Sequence, residues 1–368
     1  MTGRSDKDGH SGGGGKQGGG SPMRDAVDVV VVGAGPIGRL VALDLITRHS
    51  IPSPARILRV LWIIRNAETR EGIMRHGISM ERAGSPPAKD TESASQPRIM
   101  TNELGFIESL EQAAQLVSKP DAAIVCVKAY SLDDVLASTR RLFPDSPLLV
   151  IANGILDIPD AFIGVMFGGG RLEDCKLILT KSLKLAWGRA DAPAIGSRAR
   201  DIATEAGGDD SQAFIFHFLF AGEGCVEYRY EPDISRTMLE KAIANSVINP
   251  LTAILDAPNE AILDERLTPL MRGLVREACE AFNAAYAGIG DVSKRKSRLF
   301  DAETEYAQVM QVARDTALNF SSMLQDIRAG RKTEVEWLNG RIVEMGRAYG
   351  VKTPLNEWVV GMIEALGV

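Results

Sequence analysis

Val27-Asp-Val-Val-Val-Val32 runs directly into Gly33-Ala34-Gly35-Pro36-Ile37-Gly38, and a helical stretch from Arg39 to Thr47 follows. This order constrains the fold more than any other feature of the chain. A β-branched apolar run reads as a strand buried on both faces. The three glycines have separate uses: a tight turn at Gly33, close backbone approach to a pyrophosphate at Gly35, and close helix–strand packing at Gly38. The helix that follows points its amide end at the phosphates. A bare GxGxxG is a weak signal, but one set between a first strand and a first helix has the context that gives it meaning. Gly33 through Gly38, with Ala34, Pro36 and Ile37 between the glycines, is therefore the expected dinucleotide turn.

More strands of the same kind follow. Residues 57–64 form a second apolar run, and Ala122–Val127 and Leu148–Ala152 form two more, with a helical segment Leu132–Leu142 between them. Strand–helix alternation with apolar strands predicts a doubly wound parallel sheet of Rossmann type. From about Pro232 the pattern changes to long helical periodicities: 237–256, 269–288, 303–321 and 333–349. The expected organisation is a Gly-rich disordered tail over 1–22, a nucleotide-binding α/β domain over 23–231 and an all-α substrate domain over 232–368. Residues 83–97 read as an exposed loop.

At 45% hydrophobic, 24% charged and a net charge of −6, the composition is globular, and no basic stripe suggests nucleic acid. No apolar run has membrane-spanning length, and the tail has no apolar core of a secretory signal. Four scattered cysteines and four histidines make no ligand spacing, so no metal site is expected. A cytoplasmic setting with reduced thiols follows. The extensive helical domain is compatible with homodimerisation.

The second strand ends at Arg65, where folds that prefer NAD carry an acid for the ribose 2′-hydroxyl. An arginine there suits a 2′-phosphate and hence NADP(H), with Arg70 as a second contact. The alternative is a solvated surface arginine. In the helical half, Lys241, Asn245 and Asn249 recur every fourth residue. That spacing stacks a cation and two amides on one helix face, which suits a small polar anion.

Several blocks together resemble the ketopantoate reductase (2-dehydropantoate 2-reductase) family. They are the Gly33–Gly38 fingerprint, Val127-Lys128-Ala-Tyr130, Ala152-Asn153-Gly154, Lys241-xxx-Asn245-xxx-Asn249-Pro-Leu-Thr-Ala, Ser321-Ser322-Met-Leu-Gln-Asp326-Ile-Arg328, Thr333-Glu334 and Asn339-Gly340. The resemblance implies NADPH-dependent reduction of 2-dehydropantoate to (R)-pantoate in pantothenate biosynthesis. It implies Lys241 as general acid, Asn153 beside nicotinamide and substrate, and Lys128 beside both. It implies Asn245, Asn249, Asn259, Asn319 and Ser322 as substrate contacts, and Glu334 as a carboxylate engaging the lysine or a substrate hydroxyl. Chemistry alone points the same way, since hydride addition to a ketone creates an alkoxide that needs a proton donor. Burial would lower the Lys241 pKa and Glu334 would oppose that, an opposition the sequence leaves open. Two lysines in Thr180–Gly188, where the family shows a Gly/Thr-rich strand, leave room for another branched 2-oxo acid as substrate. A non-catalytic NADP-binding sensor is the third reading.

Overall fold

The structure is a computed structural model. It is described over residues 26–49, 57–76, 79–82, 104–168, 170–173, 176–179, 183–189, 212–287 and 299–367. The tail 1–22 and the loop 83–97 lie outside the described residues.

Strand β1 (Ala26–Val32) pairs in parallel with β2 (Ile57–Ile63) on one side and with β5 (Ala122–Val125) on the other. Beyond β2 lies β4 (Leu104–Ile107). Beyond β5 lie β6 (Leu148–Ile151) and β7 (Phe162–Phe167), all parallel. The order β4-β2-β1-β5-β6-β7 is that of a doubly wound sheet, with its switch point between β1 and β5. Two further strands extend the β7 edge: β10 (Lys184–Arg189), antiparallel to β7, and β11 (Glu227–Tyr230), parallel to β10. A separate three-stranded sheet of β3 (Ser79–Arg82), β8 (Gly170–Glu173) and β9 (Lys176–Leu179) had no counterpart in the sequence reading.

Residues of β1 alternate between two cores. Val27, Val29 and Val31 join helix α1 (Pro36–His49) and helix α5 (Ala213–Leu219) on one face. Val30 and Val32 join α3 (Leu110–Leu116) and α4 (Leu132–Leu142) on the other, and that core runs without a break into the helical half. Helix α2 (Ala67–His76) follows β2. Pro36 stands at the start of α1, where its missing amide proton costs nothing.

Between residues 232 and 367 the described residues form helices and turns, with no strand: α6 (Ile234–Leu255), α7 (Thr268–Ala287), α8 (Ala302–Asp315), α9 (Ser322–Arg328), α10 (Asn339–Tyr349) and α11 (Pro354–Ala365). Two expected helices are shorter than their periodicity. The helix expected over 303–321 stops at Asp315, because the next residues pair with another segment: Asn259 N–H donates to the Asn319 carbonyl (2.9 Å) and Glu260 N–H to that of Ala317 (3.0 Å). The helix expected over 333–349 begins only at Asn339. Thr333–Leu338 form an open turn and a single 3-10 turn, and Glu334 points across to the sheet domain instead.

Candidate active site

The carboxyl ends of β1, β2, β5 and β6 open onto one crevice, and each ends in a residue singled out above. After β1, Gly33 has φ of +122°, and a Cβ there would overlap the Cys126 carbonyl. A Cβ on Gly38 would overlap the Gly33 carbonyl, so these two positions are closed to any larger residue. A Cβ on Gly35 would meet nothing within 4 Å. The turn is therefore tight below and open above, as a backbone that admits a pyrophosphate must be. Arg65 is exposed just past β2. Arg70 pairs with Glu108 (2.7 Å) and donates to the Ile64 carbonyl (3.1 Å).

After β5 and β6 come Lys128 and Asn153, and the helical domain meets both through Glu334. One Glu334 oxygen accepts from Ala129 N–H (3.1 Å). The other accepts from Lys128 Nζ (3.4 Å) and from Asn153 Nδ2 (3.3 Å). The Asn153 amide turns its oxygen to Lys241, whose Nζ donates to it at 3.0 Å. An amide held between a carboxylate and an ammonium has only this orientation open to it. Gly154 makes the approach possible. At φ of +109° its Cβ would stand 2.7 Å from the Trp337 carbonyl, and that carbonyl accepts from Ile155 N–H at 3.0 Å.

The two lysines have opposite electrostatics. Lys128 pairs with Asp326 (2.7 Å) as well as Glu334. Burial works against its charge, but the two carboxylates outweigh burial and hold its pKa above the ordinary value. Among the described residues the Lys241 ammonium hydrogen-bonds only the Asn153 amide. Burial pushes it down to about 8, against the opposing pull of Glu334. Burial therefore wins the contest that the sequence left open. Of the two, Lys241 alone can release a proton near neutral pH.

On α6, Lys241 and Asn245 are half-buried and Asn249 is buried. Among the described residues neither asparagine side chain has a hydrogen-bond partner, so both amides are available to a ligand. Ser321 caps α9, accepting from Leu324 N–H (3.2 Å), and its hydroxyl is also bonded by Thr252 (2.7 Å). That cap pins the start of α9 to α6 beside Asn249 and places Ser322 at the first position of α9. Asn259 and Asn319 are joined to each other, and Asn259 Nδ2 donates to Thr316 Oγ1 (2.9 Å). Asn319 lies two residues before Ser321, whose hydroxyl donates to the Asn249 carbonyl on α6 (3.3 Å).

Asp326, quoted above only as part of the Ser321–Arg328 block and given no role there, joins this group. It is buried and accepts from Lys128 and from Arg331 (2.9 Å). Its signal was the i, i+3 spacing from the apolar Met323, which puts both on the inner face of α9. Among the described residues no group of His, Cys, Asp and Glu side chains could hold a metal ion, and no helix is long and apolar enough to cross a membrane.

Known proteins resemble this arrangement. The family model for ketopantoate reductase PanE/ApbA matches residues 29–162, and that for its C-terminal part matches 233–367. The 2-dehydropantoate 2-reductase of Aquifex aeolicus is 29% identical over 256 residues, covering 67% of this chain and 76% of its own. Among solved structures, the 2-dehydropantoate 2-reductase of Geobacter metallireducens superposes with a TM-score of 0.65 at 18% identity, covering 92% of this chain and 99% of its own. D-mandelate dehydrogenase, solved with NADH and anilino(oxo)acetate, has a TM-score of 0.64 at 20% identity, with 92% and 98% covered. With both family models matched and the Rossmann crevice facing a helical domain that carries Lys241, the chain belongs to the ketopantoate reductase family of oxidoreductases.

Proposed function

We propose that this protein reduces 2-dehydropantoate to (R)-pantoate with NADPH, and that Lys241 is the general acid. The observation that carries the reading is the inequality of the two lysines. Lys128 is fixed as a cation by Asp326 and Glu334, whereas Lys241 is held by one amide and lowered to about 8. With its pyrophosphate on the glycine turn, the reduced dinucleotide would supply a hydride from its nicotinamide. The chain's own residues then do the rest. Lys241 gives its proton to the oxygen that becomes the alcohol, with Asn153 aiming its Nζ. Lys128 provides fixed positive charge beside the developing alkoxide. The amides of Asn245 and Asn249 and the Ser322 hydroxyl suit the carboxylate and hydroxyl of the substrate. Arg65, exposed where the ribose 2′-position would lie, favours NADPH over NADH.

In this reading residues 23–231 hold the nucleotide and 232–368 the substrate, in a cytoplasmic homodimer. The deciding experiment is oxidation of NADPH, followed at 340 nm, by the purified protein with 2-dehydropantoate and with a panel of other 2-oxo acids. A kcat/KM for 2-dehydropantoate above all others supports the reading. A higher value for a hydroxyl-free branched or aromatic 2-oxo acid replaces it with the second reading, a reductase of another 2-oxo acid. That alternative is favoured by the equally good superposition on D-mandelate dehydrogenase. No turnover with any acid would favour the sensor.

A further inference from the structure

The helix that carries Lys241 contains a defect. Pro250 lies inside α6, and proline has no amide proton, so the carbonyl four residues earlier, on Ser246, loses its helical partner. Ser246 is 0% exposed, so bulk water does not reach it as a substitute. An unpaired carbonyl in such a place costs the full loss of a hydrogen bond.

The missing donor comes from another helix. Asn339, the first residue of α10 and also 0% exposed, donates through Nδ2 to the Ser246 carbonyl at 2.9 Å and to Asn356 Oδ1 at 3.0 Å. Its orientation is set from outside. Asn356 Nδ2 donates to Glu277 Oε2 (2.8 Å), which turns Asn356 Oδ1 toward Asn339. Glu277 is itself fixed by the backbone N–H groups of Leu355 and Asn356, both at 3.0 Å. A carboxylate on α7 thus orders an amide on α11, which orders an amide on α10, which replaces the proton missing from α6. The defect falls within the turns that bear Asn245 and Asn249, about one and a half to two and a half turns from Lys241. A proline ring pushes that carbonyl aside and bends a helix unless something fixes the new path.

We infer that Asn339 is a positioning residue. It supplies the donor that Pro250 removes, and in doing so fixes the path of α6 and the aim of the Lys241–Asn245–Asn249 face. The inference rests on the proposed function for what that face does, though not for the device itself.

The test is a double-mutant cycle with Asn339→Ala, Pro250→Ala and both together in the full chain. Alanine at 250 restores the amide proton, so the Ser246 carbonyl can bond within the helix and no longer needs Asn339. Two quantities are read. One is kcat for NADPH-dependent reduction. The other, independent of turnover, is the pH dependence of Lys241 acetylation by acetic anhydride, measured by peptide mass spectrometry. Asn339→Ala should lower kcat by about tenfold or more, as small misplacements of a catalytic group do, and should move the Lys241 titration away from the parent's midpoint. The double variant should recover most of both. Melting temperature should recover less, because Asn356 stays without its donor.

A double variant no better than Asn339→Ala in kcat and titration overturns the inference. So does an Asn339→Ala protein with lowered melting temperature but unchanged kcat and titration. Should Asn339→Ala fail to fold, the double variant decides alone: folded with a parental Lys241 titration it supports the inference, and unfolded it overturns it. A parent that reduces no 2-oxo acid sinks the proposed function, while the acetylation arm still reports on Asn339.

Discussion

Glu334→Gln isolates the electrostatics of the candidate acid. The substitution keeps the size of the side chain and its ability to accept from Ala129 N–H, and removes one negative charge. Lys241 and Glu334 flank the same amide, at 3.0 Å from its oxygen and 3.3 Å from its nitrogen, which places the two charges no more than about 9 Å apart. At an effective dielectric of about 20 to 40, such a pair interacts by roughly 1–2 kcal/mol, or about one pK unit. Glu334 raises the Lys241 pKa, so its removal should carry the value from about 8 to roughly 7. Lys128 keeps Asp326 at 2.7 Å and stays charged. The assay is kcat/KM for 2-oxo acid reduction from pH 5.5 to 10 at saturating NADPH. Reduction needs the protonated lysine, so activity falls as pH rises through its pKa. The variant's descending limb should lie about one pH unit below the parent's, whatever happens to the absolute rate. A limb that stays in place, or moves up, would show that the group being titrated is not Lys241 beside Glu334.

Other outcomes follow from the same geometry. Lys241→Met should lower kcat about a hundredfold or more and leave nucleotide binding, measured by fluorescence titration, nearly unchanged. The same variant should melt at a higher temperature than the parent at pH 7. The folded-state pKa of about 8 lies below the ordinary 10.5, so the unfolded chain holds more protons between those values and parent stability rises with pH across that window. Removing the buried amine relieves a cost of up to about 3 kcal/mol present below it. Arg65→Asp should shrink or reverse the ratio of kcat/KM for NADPH over NADH, worth on the order of 1–3 kcal/mol. A parent that uses the two equally would show that Arg65 does not meet the 2′-phosphate.

The parts of the site legible from sequence were those in which spacing determines geometry. The Gly33–Gly38 turn was readable because strand, glycines and helix are contiguous, and the tight turn they form needs glycine at Gly33 and Gly38. Lys241, Asn245 and Asn249 were readable because a four-residue period fixes a face whatever the helix packs against. What escaped depends on long-range partners. The end of α8 at Asp315 is set by backbone bonds to Asn259 and Glu260, more than fifty residues away in the chain. Thr333–Leu338 carry a helical pattern but are pulled out of a helix by the Glu334 contact to Ala129, Lys128 and Asn153. Asp326 has an ordinary surface-helix neighbourhood in sequence, and its charge acquires a role only because Lys128 arrives from the sheet domain. The value of the Lys241 pKa was equally out of reach, since burial and Glu334 oppose each other and only the packed site sets their balance.

That packing predicts a second displacement of the acid limb, opposite in sign to the first. Lys241 comes from the helical domain, and the amide it donates to comes from the sheet domain, so its low pKa belongs to the contact between them. The contact depends on Gly154. A side chain there must overcome both a φ of +109° and a Cβ only 2.7 Å from the Trp337 carbonyl, and backbone cannot yield as the end of a long side chain can. Gly154→Val should therefore lift the Asn153 loop off the Val335–Trp337 turn, separate Asn153 from Glu334 and admit water to Lys241. Burial is the larger influence on that lysine and Glu334 the smaller. Hydration should then raise its pKa toward 10.5 even as the carboxylate recedes. The descending limb should move up, with a lower kcat because the ammonium has lost its aim. Glu334→Gln and Gly154→Val act on two ends of one contact, yet they should split the limb to either side of the parent's. If both move it the same way, charge rather than burial governs Lys241, and the assignment of the acid by desolvation fails.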